Sequence, residues 1–150
     1  MTVAIRPATR EDAPAIAALF GRVRRQELPF LPTLHTPAED RAYFTGHVMD
    51  TCKVWIAETD RLAGFVAWRD GWVDHLYVDI DHLRQGIGSA LLAKAMDAQP
   101  KLQLWAFRKN APALAFYHAR GFRVVRETDG HDNEEKEPDV LMAWARDQSP

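Results

Sequence analysis

A glycine-rich turn, Leu83-Arg84-Gln85-Gly86-Ile87-Gly88-Ser89, follows an apolar stretch and precedes an amphipathic one. The hydrophobic periodicity predicts a strand over residues 73–78 and a helix over residues 89–97. Backbone N–H groups in the first turn of a helix have no intrahelical partner, and the helix dipole adds about half a positive charge there. Gly86 and Gly88 have no Cβ atom to keep a phosphate away from those amides. The turn therefore predicts a site for a phosphate-bearing ligand.

Two common phosphate-binding motifs are excluded by residues within this turn and shortly after it. A dinucleotide fingerprint requires Gly or Ala three residues after its second glycine, where this sequence has Leu91. The next predicted strand, over residues 102–107, also lacks the acidic residue that such a fingerprint expects. A P-loop requires a lysine after its last glycine, whereas Gly88 is followed by Ser89. On these residues alone, a turn that binds no ligand is the remaining alternative.

Periodicity and capping residues predict a mixed α/β fold along the whole chain. The predicted elements follow the order β-α-α-β-β-β-α-β-α-β-β, with seven strands and four helices. We expect strands over residues 3–6, 54–58, 62–68, 72–78, 102–107, 122–128 and 140–145, and helices over residues 10–26, 37–49, 89–97 and 111–119. No repeat or change in composition divides the chain, so residues 1–150 are predicted to form a single domain.

Short local signals set several of these boundaries. Asp70-Gly71 is typical of a type I′ turn, so the strands on either side are predicted to pair antiparallel. Thr36-Pro37-Ala38-Glu39 combines an N-cap, a proline at the first helical position and a capping-box acid. Asn110 is a candidate N-cap, and Gly121 stands where a helix often ends in a left-handed residue.

The composition is that of an ordinary globular protein. The 19 basic and 21 acidic residues give a net charge of −2, so we expect no nucleic-acid partner. No stretch reaches the ~18 consecutive apolar residues of a membrane helix, and the start of the sequence does not resemble a signal peptide. Cys52 is the only cysteine, which excludes an internal disulfide. We therefore expect a soluble, cytoplasmic protein with no membrane partner.

The remaining charged and metal-binding residue types suggest little chemistry of their own. The six histidines show no i, i+4 pair and no cluster with the cysteine, so no metal site is expected. The run of Arg22, Arg24 and Arg25 is interpreted as a solvated helix end.

Two separated segments resemble the signature motifs of the GNAT superfamily of N-acetyltransferases. The first joins Asp74-His75-Leu76-Tyr77-Val78-Asp79 to Arg84-Gln85-Gly86-Ile87-Gly88-Ser89-Ala90-Leu91-Leu92. The second is Asn110-Ala111-Pro112-Ala113-Leu114-Ala115-Phe116-Tyr117-His118-Ala119-Arg120-Gly121-Phe122. The opening Ile5-Arg6-Pro7-Ala8-Thr9-Arg10-Glu11-Asp12 is also typical of that superfamily. The resemblance covers nearly the whole chain and implies a GNAT-like α/β fold, with a mixed, mostly antiparallel central sheet of about seven strands flanked by four helices.

The resemblance also implies acetyl-CoA (coenzyme A) as the acyl donor. Its pyrophosphate would lie on the amides of residues 84–89, and its pantetheine arm would pair with backbone groups of Leu76 and Val78, where the fourth strand separates from the fifth. The residues that the resemblance assigns to the cofactor are Leu76, Tyr77, Val78, Arg84, Gln85, Gly86, Ile87, Gly88, Ser89, Asn110 and Tyr117. Leu83 is a departure, since the family usually begins this motif with Gln or Arg, and it predicts a modestly weaker site.

Two residues are candidates for catalysis. Tyr117 matches the family tyrosine that serves the departing thiolate, and a purely structural core tyrosine is the alternative. Family members often place a base on the fourth strand, most often a glutamate where this chain has Trp72. Side chains at 72, 74, 76 and 78 are expected to share one face, so Asp74 is the candidate base. His75 is expected to face away unless the strand is bulged. Proton transfer through solvent, with no dedicated base, is the alternative.

Two variable segments of the family, residues 28–35 and 129–139 here, are predicted to cover the acceptor cleft. The first contains Phe30, Leu31 and Leu34, and the second contains Asp132, Glu134, Glu135 and Glu137. A rim of carboxylates would favour a cationic amine by electrostatics. A solvated hairpin loop is the alternative.

These observations predict an N-acetyltransferase that transfers an acetyl group from acetyl-CoA to a primary amine by direct attack in a ternary complex. The expected acceptor is a small-molecule amine or an amino-acid-like compound. The alternatives are an acetyltransferase for protein lysines or N-termini, and a non-catalytic module that binds acyl-CoA. Exposed hydrophobic strand edges near the C-terminus also allow a homodimer.

Overall fold

A seven-stranded sheet flanked by four helices organises the chain in the computed structural model, which describes residues 2–83 and 85–147. The strands are β1 (Ala4–Pro7), β2 (Lys53–Glu58), β3 (Leu62–Arg69), β4 (Trp72–Val78), β5 (Lys101–Phe107), β6 (Arg123–Thr128) and β7 (Asp139–Ala145). The helices are α1 (Ala13–Glu27), α2 (Pro37–Ala42, with a continuation to Thr51), α3 (Ile87–Ala98) and α4 (Ala111–Ala119). The element order predicted from the sequence is confirmed.

The sheet is antiparallel except at its centre. Its strand order is β1-β2-β3-β4-β5-β7-β6, and β4 with β5 is the parallel pair. In the described part of the chain the β4–β5 ladder holds a single pair, Trp72 with Gln103. Gln103 N–H also donates to the Gly71 carbonyl at 2.8 Å. Beyond this point the two strands separate, so a gap opens in the sheet toward Val78 and Phe107.

The turn between β3 and β4 forms as predicted. Asp70 has a φ of +35° and Gly71 a φ of +84°, and Arg69 pairs with Trp72 across the turn. Two consecutive positive φ angles are the signature of a type I′ turn, whose twist matches that of the flanking strands. The hairpin fixes the position of β4, which carries the candidate base and three of the residues predicted to bind the acyl donor.

A β-bulge interrupts β4 shortly after this turn. Ala67 pairs with His75 and Trp68 pairs with Val73, so Asp74 is an extra residue on the β4 side. The bulge breaks the two-residue alternation of side chains. The prediction that residues 72, 74, 76 and 78 share one face is therefore wrong.

Two hydrophobic clusters occupy the two faces of the sheet. One lies under α3 and α4 and includes Leu91, Leu102 and Phe122, with Leu76 and Val78 packed against it. The other lies under α1 and α2, and its members include Ile16, Phe44, Phe65 and Ala67, with Tyr77 packed against it. Alternate residues of β4 thus contribute to opposite layers, which anchors this strand between both pairs of helices.

The helices differ from their predicted bounds for identifiable reasons. A 3₁₀ turn, Arg10–Asp12, precedes α1, which therefore begins at Ala13 rather than at residue 10. Thr36 caps α2 by accepting from Glu39 N–H at 3.1 Å, as predicted. The helix then continues as a π-helical segment, Tyr43–Val48, and a last turn, Met49–Thr51. Within residues 2–83 and 85–147, no helix has the length and apolar composition needed to cross a membrane.

Candidate functional site

The glycine turn leaves open backbone at the start of α3. Gly86 precedes the helix with a φ of +77°, a left-handed conformation that glycine adopts without strain. A Cβ at Gly88 would lie 3.3 Å from the Phe116 ring, so this position also has little room for a side chain. Ile87 is buried in the core, so only its backbone could contact a ligand. Gln85 is exposed beside Gly86, and Arg84 lies outside the described residues.

The gap between β4 and β5 exposes strand backbone on one side. Asp79 N–H donates to the Ala63 carbonyl of the β3 side at 2.8 Å. Backbone groups alternate in direction along a strand, so those of Tyr77 also point toward β3. By the same alternation, the backbone groups of Leu76 and Val78 point toward the gap. Of the three β4 residues assigned to the cofactor, these two have backbone donors and acceptors available there.

The second sequence motif packs α4 against the start of α3. Asn110 caps α4, since its Oδ1 accepts from Ala113 N–H at 3.4 Å, and this bond gives it a structural role. Tyr117 is buried, with its ring edge-on to those of Phe116 and Phe122. Burial raises the pKa of Tyr117 well above its ordinary value, and the nearby Tyr77 raises it further. The hydroxyl therefore stays protonated at neutral pH and can donate a hydrogen bond.

These features fit an extended ligand with an anionic end, and coenzyme A has that shape and charge. The first turn of α3 contains no acidic side chain that would repel phosphate groups. Gly86 and Gly88 add no side chain at the start of this helix, and the gap beside Leu76 and Val78 would accept an amide-bearing arm as an added strand.

A cavity of about 510 Å³ lies on the α1 and α2 side of β4. The two segments that the sequence predicted to cover the acceptor cleft, residues 28–35 and 129–139, both contribute to its wall. Its apolar lining includes Phe20, Leu28, Leu31, Leu34 and Tyr43, and its acidic lining includes Glu39, Asp40, Glu134 and Glu135. An opening of this size, apolar with a few charged groups, is typical of small-ligand sites.

The carboxylates from the second segment lie close to basic side chains across the cavity. Glu135 lies 3.9 Å from Arg24, and Glu134 lies 2.5 Å from Nε2 of His35. Arg24 also lies over the Phe20 ring at 5.1 Å, and its charge partly offsets the rise that burial causes in the pKa of Tyr77. These contacts tie the 129–139 segment to α1 and to the 28–35 segment, so the rim is partly ordered by charge pairs.

His75 lies on the wall of this cavity, because the bulge turns it toward α1 and α2. Its ring packs against those of Phe20, Phe44 and Tyr43, and Nε2 lies 3.1 Å from the Tyr43 hydroxyl. Burial lowers the pKa of His75 to about 4, so the ring is neutral at physiological pH. The expectation that His75 faces away assumed an unbulged strand, and the structure corrects it.

Asp74 does not line the acceptor cavity among the described residues, and its carboxylate has other partners. Arg69 Nε donates to Asp74 Oδ2 at 2.6 Å, and the Cys52 thiol donates to the same oxygen at 3.5 Å. The assignment of Asp74 as the base stays a prediction, and this geometry does not strengthen it.

The prediction of a solvated arginine run at the end of α1 holds for Arg25, which is exposed, and is wrong for Arg22 and Arg24. Arg22 donates to the buried carboxylate of Asp79 at 2.8 Å, and Arg24 lines the cavity, 3.9 Å from Glu135. Only the spacing of Phe20 and Arg24, four residues apart on α1, could have indicated that Arg24 shares a face with an apolar side chain. Tyr43 was also missed, because the π-helical segment that carries it leaves no clear sequence pattern.

Comparison with known proteins gives consistent results across sequence and structure. A family model described as an acetyltransferase (GNAT) domain matches residues 50–124 of the chain. The sequence is similar to that of the peptidyl-lysine N-acetyltransferase YiaC of Escherichia coli K12, with 31% identity over 146 residues, 93% of this chain and 95% of that protein. It is also similar to the peptidyl-lysine N-acetyltransferase YjaB of the same organism, with 25% identity over 96% of this chain and 98% of that protein.

The fold has a counterpart among solved structures. The crystal structure of the PaiA N-acetyltransferase from Thermoplasma acidophilum, in complex with coenzyme A, superposes with a TM-score of 0.78. The match covers 97% of this chain and 99% of that one, at 19% sequence identity. At this identity the likeness shows a shared fold.

Proposed function

The chain belongs to the GNAT family of acetyltransferases, and we propose that it transfers the acetyl group of acetyl-CoA to the ε-amino group of lysine residues in proteins. The observation that carries this proposal is the similarity, over more than nine-tenths of the chain, to YiaC, a peptidyl-lysine N-acetyltransferase. YjaB, which is similar over nearly the whole chain, carries the same description.

The chemistry of the acceptor cavity supports a lysine acceptor. The butyl stem of a lysine is apolar and would pack along Phe20, Leu31 and Leu34, while its ammonium group would lie near Glu134 and Glu135. A carboxylate next to an ammonium gives attraction of about 4 kcal/mol at 4 Å under the effective dielectric of a protein surface, before the cost of desolvation. His35 and Arg24 already contact these carboxylates, so the acceptor would compete with them.

For the donor, acetyl-CoA is the acetyl source that the family uses, and the turn before α3 with the β4 gap is its proposed site. The N–H groups of residues 86–89 would bind its pyrophosphate, and Leu76 and Val78 would hold its pantetheine arm. Residue types there support this assignment: glycines at 86 and 88 and a serine hydroxyl at 89. In the reaction, the acceptor nitrogen bonds to the acetyl carbonyl carbon, the C–S bond breaks, and the thiolate sulfur takes up a proton.

Tyr117 is the proposed partner of that departing thiolate. A phenol whose pKa is raised by burial is a weaker acid than a thiol, whose pKa is ~8.5, so complete proton transfer to the sulfur is unfavourable. Tyr117 would therefore stabilise the thiolate mainly by donating a hydrogen bond, while solvent supplies the proton. This role requires only that the hydroxyl stays protonated.

Removal of the proton from the acceptor ammonium is proposed to occur through solvent. Asp74 is engaged by Arg69, and His75, with a pKa of about 4, is too weak a base to hold a proton taken from an ammonium. The acceptor cavity opens to solvent, and the partly exposed Tyr43 hydroxyl beside His75 would connect water to the reaction centre. Asp74 as a dedicated base remains the competing proposal.

A small primary amine is the second candidate acceptor. The wall made by residues 28–35 and 129–139 partly encloses the cavity, and a compound without a peptide backbone would fit inside it. The same carboxylates would attract such a cation, so the cavity alone does not decide between the two acceptors.

The two acceptor proposals can be distinguished with purified protein, acetyl-CoA and two matched panels of candidate acceptors. One panel contains lysine peptides and folded proteins, and the other contains free lysine, polyamines and other small primary amines. Release of free coenzyme A gives the rate, and mass spectrometry of the peptides locates the acetyl group. We expect kcat/KM for the best peptide to exceed that for free lysine by about tenfold or more, about 1.4 kcal/mol of transition-state binding.

The Tyr117→Phe variant is the matched control for catalysis. We expect its kcat to fall by about one to two orders of magnitude, because a single hydrogen bond to a developing charge is lost. Faster turnover of small amines than of any peptide would reject the lysine proposal. Tight coenzyme A binding with no turnover on either panel would instead favour a non-catalytic module.

A further inference from the structure

An arginine from α4 reaches the first turn of α3. Arg120 Nε donates to the Ser89 hydroxyl at 2.8 Å, and its Nη2 donates to the same oxygen. Nη1 donates to the Phe116 carbonyl at 3.0 Å, and the guanidinium carbon lies 3.7 Å from the centre of the Phe116 ring. The Phe116 ring in turn lies against Gly88. These contacts involve both the edge and the face of the guanidinium, and they fix Arg120 beside the glycine turn before α3.

Arg120 follows the last residue of α4, where the helix dipole favours a cation, but its guanidinium reaches the opposite, N-terminal end of α3. The N-terminus of a helix carries a partial positive charge, and a cation there is repelled by it. The ion pairs within residues 2–83 and 85–147 do not include Arg120. A fixed cation and a positive helix end therefore meet with no carboxylate between them. A cation next to the positive end of a helix breaks the usual charge preference of helix ends, and exceptions to such preferences are common at functional sites.

We propose that Arg120 binds a phosphate group of coenzyme A together with the Ser89 hydroxyl and the amides of α3. A guanidinium has five N–H donors, of which three are engaged by Ser89 and Phe116, so one on each terminal nitrogen remains for a phosphate oxygen. Since Ser89 Oγ accepts from Arg120, its own hydrogen is free to donate to the same anion. The anion supplies the negative charge that the first turn of α3 and Arg120 both lack.

This arrangement would make Arg120 a cofactor-binding residue outside the glycine motif. Arg120 belongs to the second sequence motif, so this motif would contact the donor through Arg120 as well as through Tyr117. The proposal rests on coenzyme A as the donor and is independent of the identity of the acceptor.

Binding measurements without an acceptor test the proposal directly. Isothermal titration calorimetry would compare the wild type, Arg120→Gln, Arg120→Lys and Ser89→Ala with coenzyme A, dephospho-coenzyme A and pantetheine. We expect Arg120→Gln to weaken coenzyme A binding by about tenfold to a hundredfold, the usual effect of losing a charge-assisted hydrogen bond. Arg120→Lys would recover part of the affinity, because it keeps the charge and loses the planar fork. Pantetheine, which has no phosphate, would bind the wild type and Arg120→Gln with equal affinity.

The comparison of ligands identifies the phosphate. A loss that is the same for coenzyme A and dephospho-coenzyme A assigns Arg120 to the pyrophosphate, and a loss seen only with coenzyme A assigns it to the 3′-phosphate. The salt dependence of coenzyme A binding should also become weaker in Arg120→Gln, since one cation is removed. Either pattern supports the proposal.

Controls separate this role from folding. Arg126→Gln removes another arginine that lies over an aromatic ring, Trp105, and should leave coenzyme A affinity unchanged. Circular dichroism confirms that each variant is folded at the titration temperature. Equal coenzyme A affinity of the wild type and Arg120→Gln, or an equal loss for pantetheine, would overturn the role of Arg120. A wild-type protein that binds no coenzyme A would count against the donor assignment itself.

Discussion

The Tyr43 hydroxyl lies 3.1 Å from Nε2 of His75 on the wall of the acceptor cavity. This contact joins two irregular pieces of backbone, the π-helical segment of α2 and the bulge of β4. Each irregularity adds a residue to its element and so turns the side chains that follow. Without both of them, neither side chain would be expected at this place.

The burial of His75 predicts a specific loss of stability in acid. Its pKa is about 6.5 in the unfolded chain and about 4 in the folded protein, so the unfolded chain binds the extra proton between these values. This contribution to the free energy of unfolding is complete above pH ~6.5 and declines as the pH falls toward 4. In urea denaturation at pH 7 and pH 4, the wild type should lose on the order of 2 kcal/mol more than His75→Gln. Tyr43→Phe, which keeps the histidine, should behave like the wild type. Parallel pH profiles for the wild type and His75→Gln would contradict this account.

Neutralising Asp74 tests whether it is the base. Because its carboxylate is paired with Arg69 outside the cavity lining, we expect Asp74→Asn to lower kcat/KM by less than about threefold, far below the 10²–10⁴ of a lost general base. The pH–rate profile should keep its shape. Arg69→Gln, which breaks the same ion pair, is the matched variant and should have a similar small effect. A drop of two orders of magnitude in Asp74→Asn alone would restore the original prediction.

The acidic rim of the acceptor cavity predicts an effect on acceptor binding. We expect the double variant Glu134→Gln and Glu135→Gln to raise KM for a lysine acceptor by about threefold to tenfold, since two partly exposed charges are removed. KM for acetyl-CoA should stay constant. Glu137→Gln is the control, because Glu137 lies 3.5 Å from Lys109 and does not line this cavity. If the acceptor KM is the same in the double variant and the wild type, the two carboxylates do not contribute to acceptor binding, and residues 129–139 form a solvated loop.

Gly88 predicts a loss of donor affinity from a single methyl group. A Cβ there would lie 3.3 Å from the Phe116 ring and 3.7 Å from Cγ2 of Val78, beside the gap that is the proposed site of the donor. We expect Gly88→Ala to weaken coenzyme A binding by about tenfold, with little change in melting temperature. Gly46→Ala is the control, since a Cβ at Gly46 would meet no atom within 4 Å. If calorimetry gives the same dissociation constant for Gly88→Ala and the wild type, the ligand does not approach this backbone.

The sequence predicted the parts of the fold that depend on local chemistry. Asp70-Gly71 identified the hairpin because two positive φ angles favour those residues, and Asn110 identified the start of α4 because its side chain can accept from the helix amides. The glycine turn and the Phe116-Tyr117 motif were recognised through their family resemblance. The structure packs both motifs together at the start of α3.

The acceptor side was harder to predict, because it depends on tertiary contacts. A strict two-residue alternation placed Asp74 inward and His75 outward, and one inserted residue reversed the arrangement. Arg22 and Arg24 were interpreted as solvated, because their partners, Asp79 and Tyr77, are more than 50 residues away along the chain. No local pattern encodes such long-range pairs.

The single ladder pair between β4 and β5 means that the two halves of the sheet are joined weakly at their centre. A donor whose arm pairs with Leu76 and Val78, as proposed, would occupy the position of a missing strand and would complete the sheet. Any ligand that binds only the folded state stabilises it by an amount that grows with the logarithm of the ligand concentration above its dissociation constant. On the proposed function, the supply of acyl donor in the cell would therefore be one of the quantities that determine how long this protein survives.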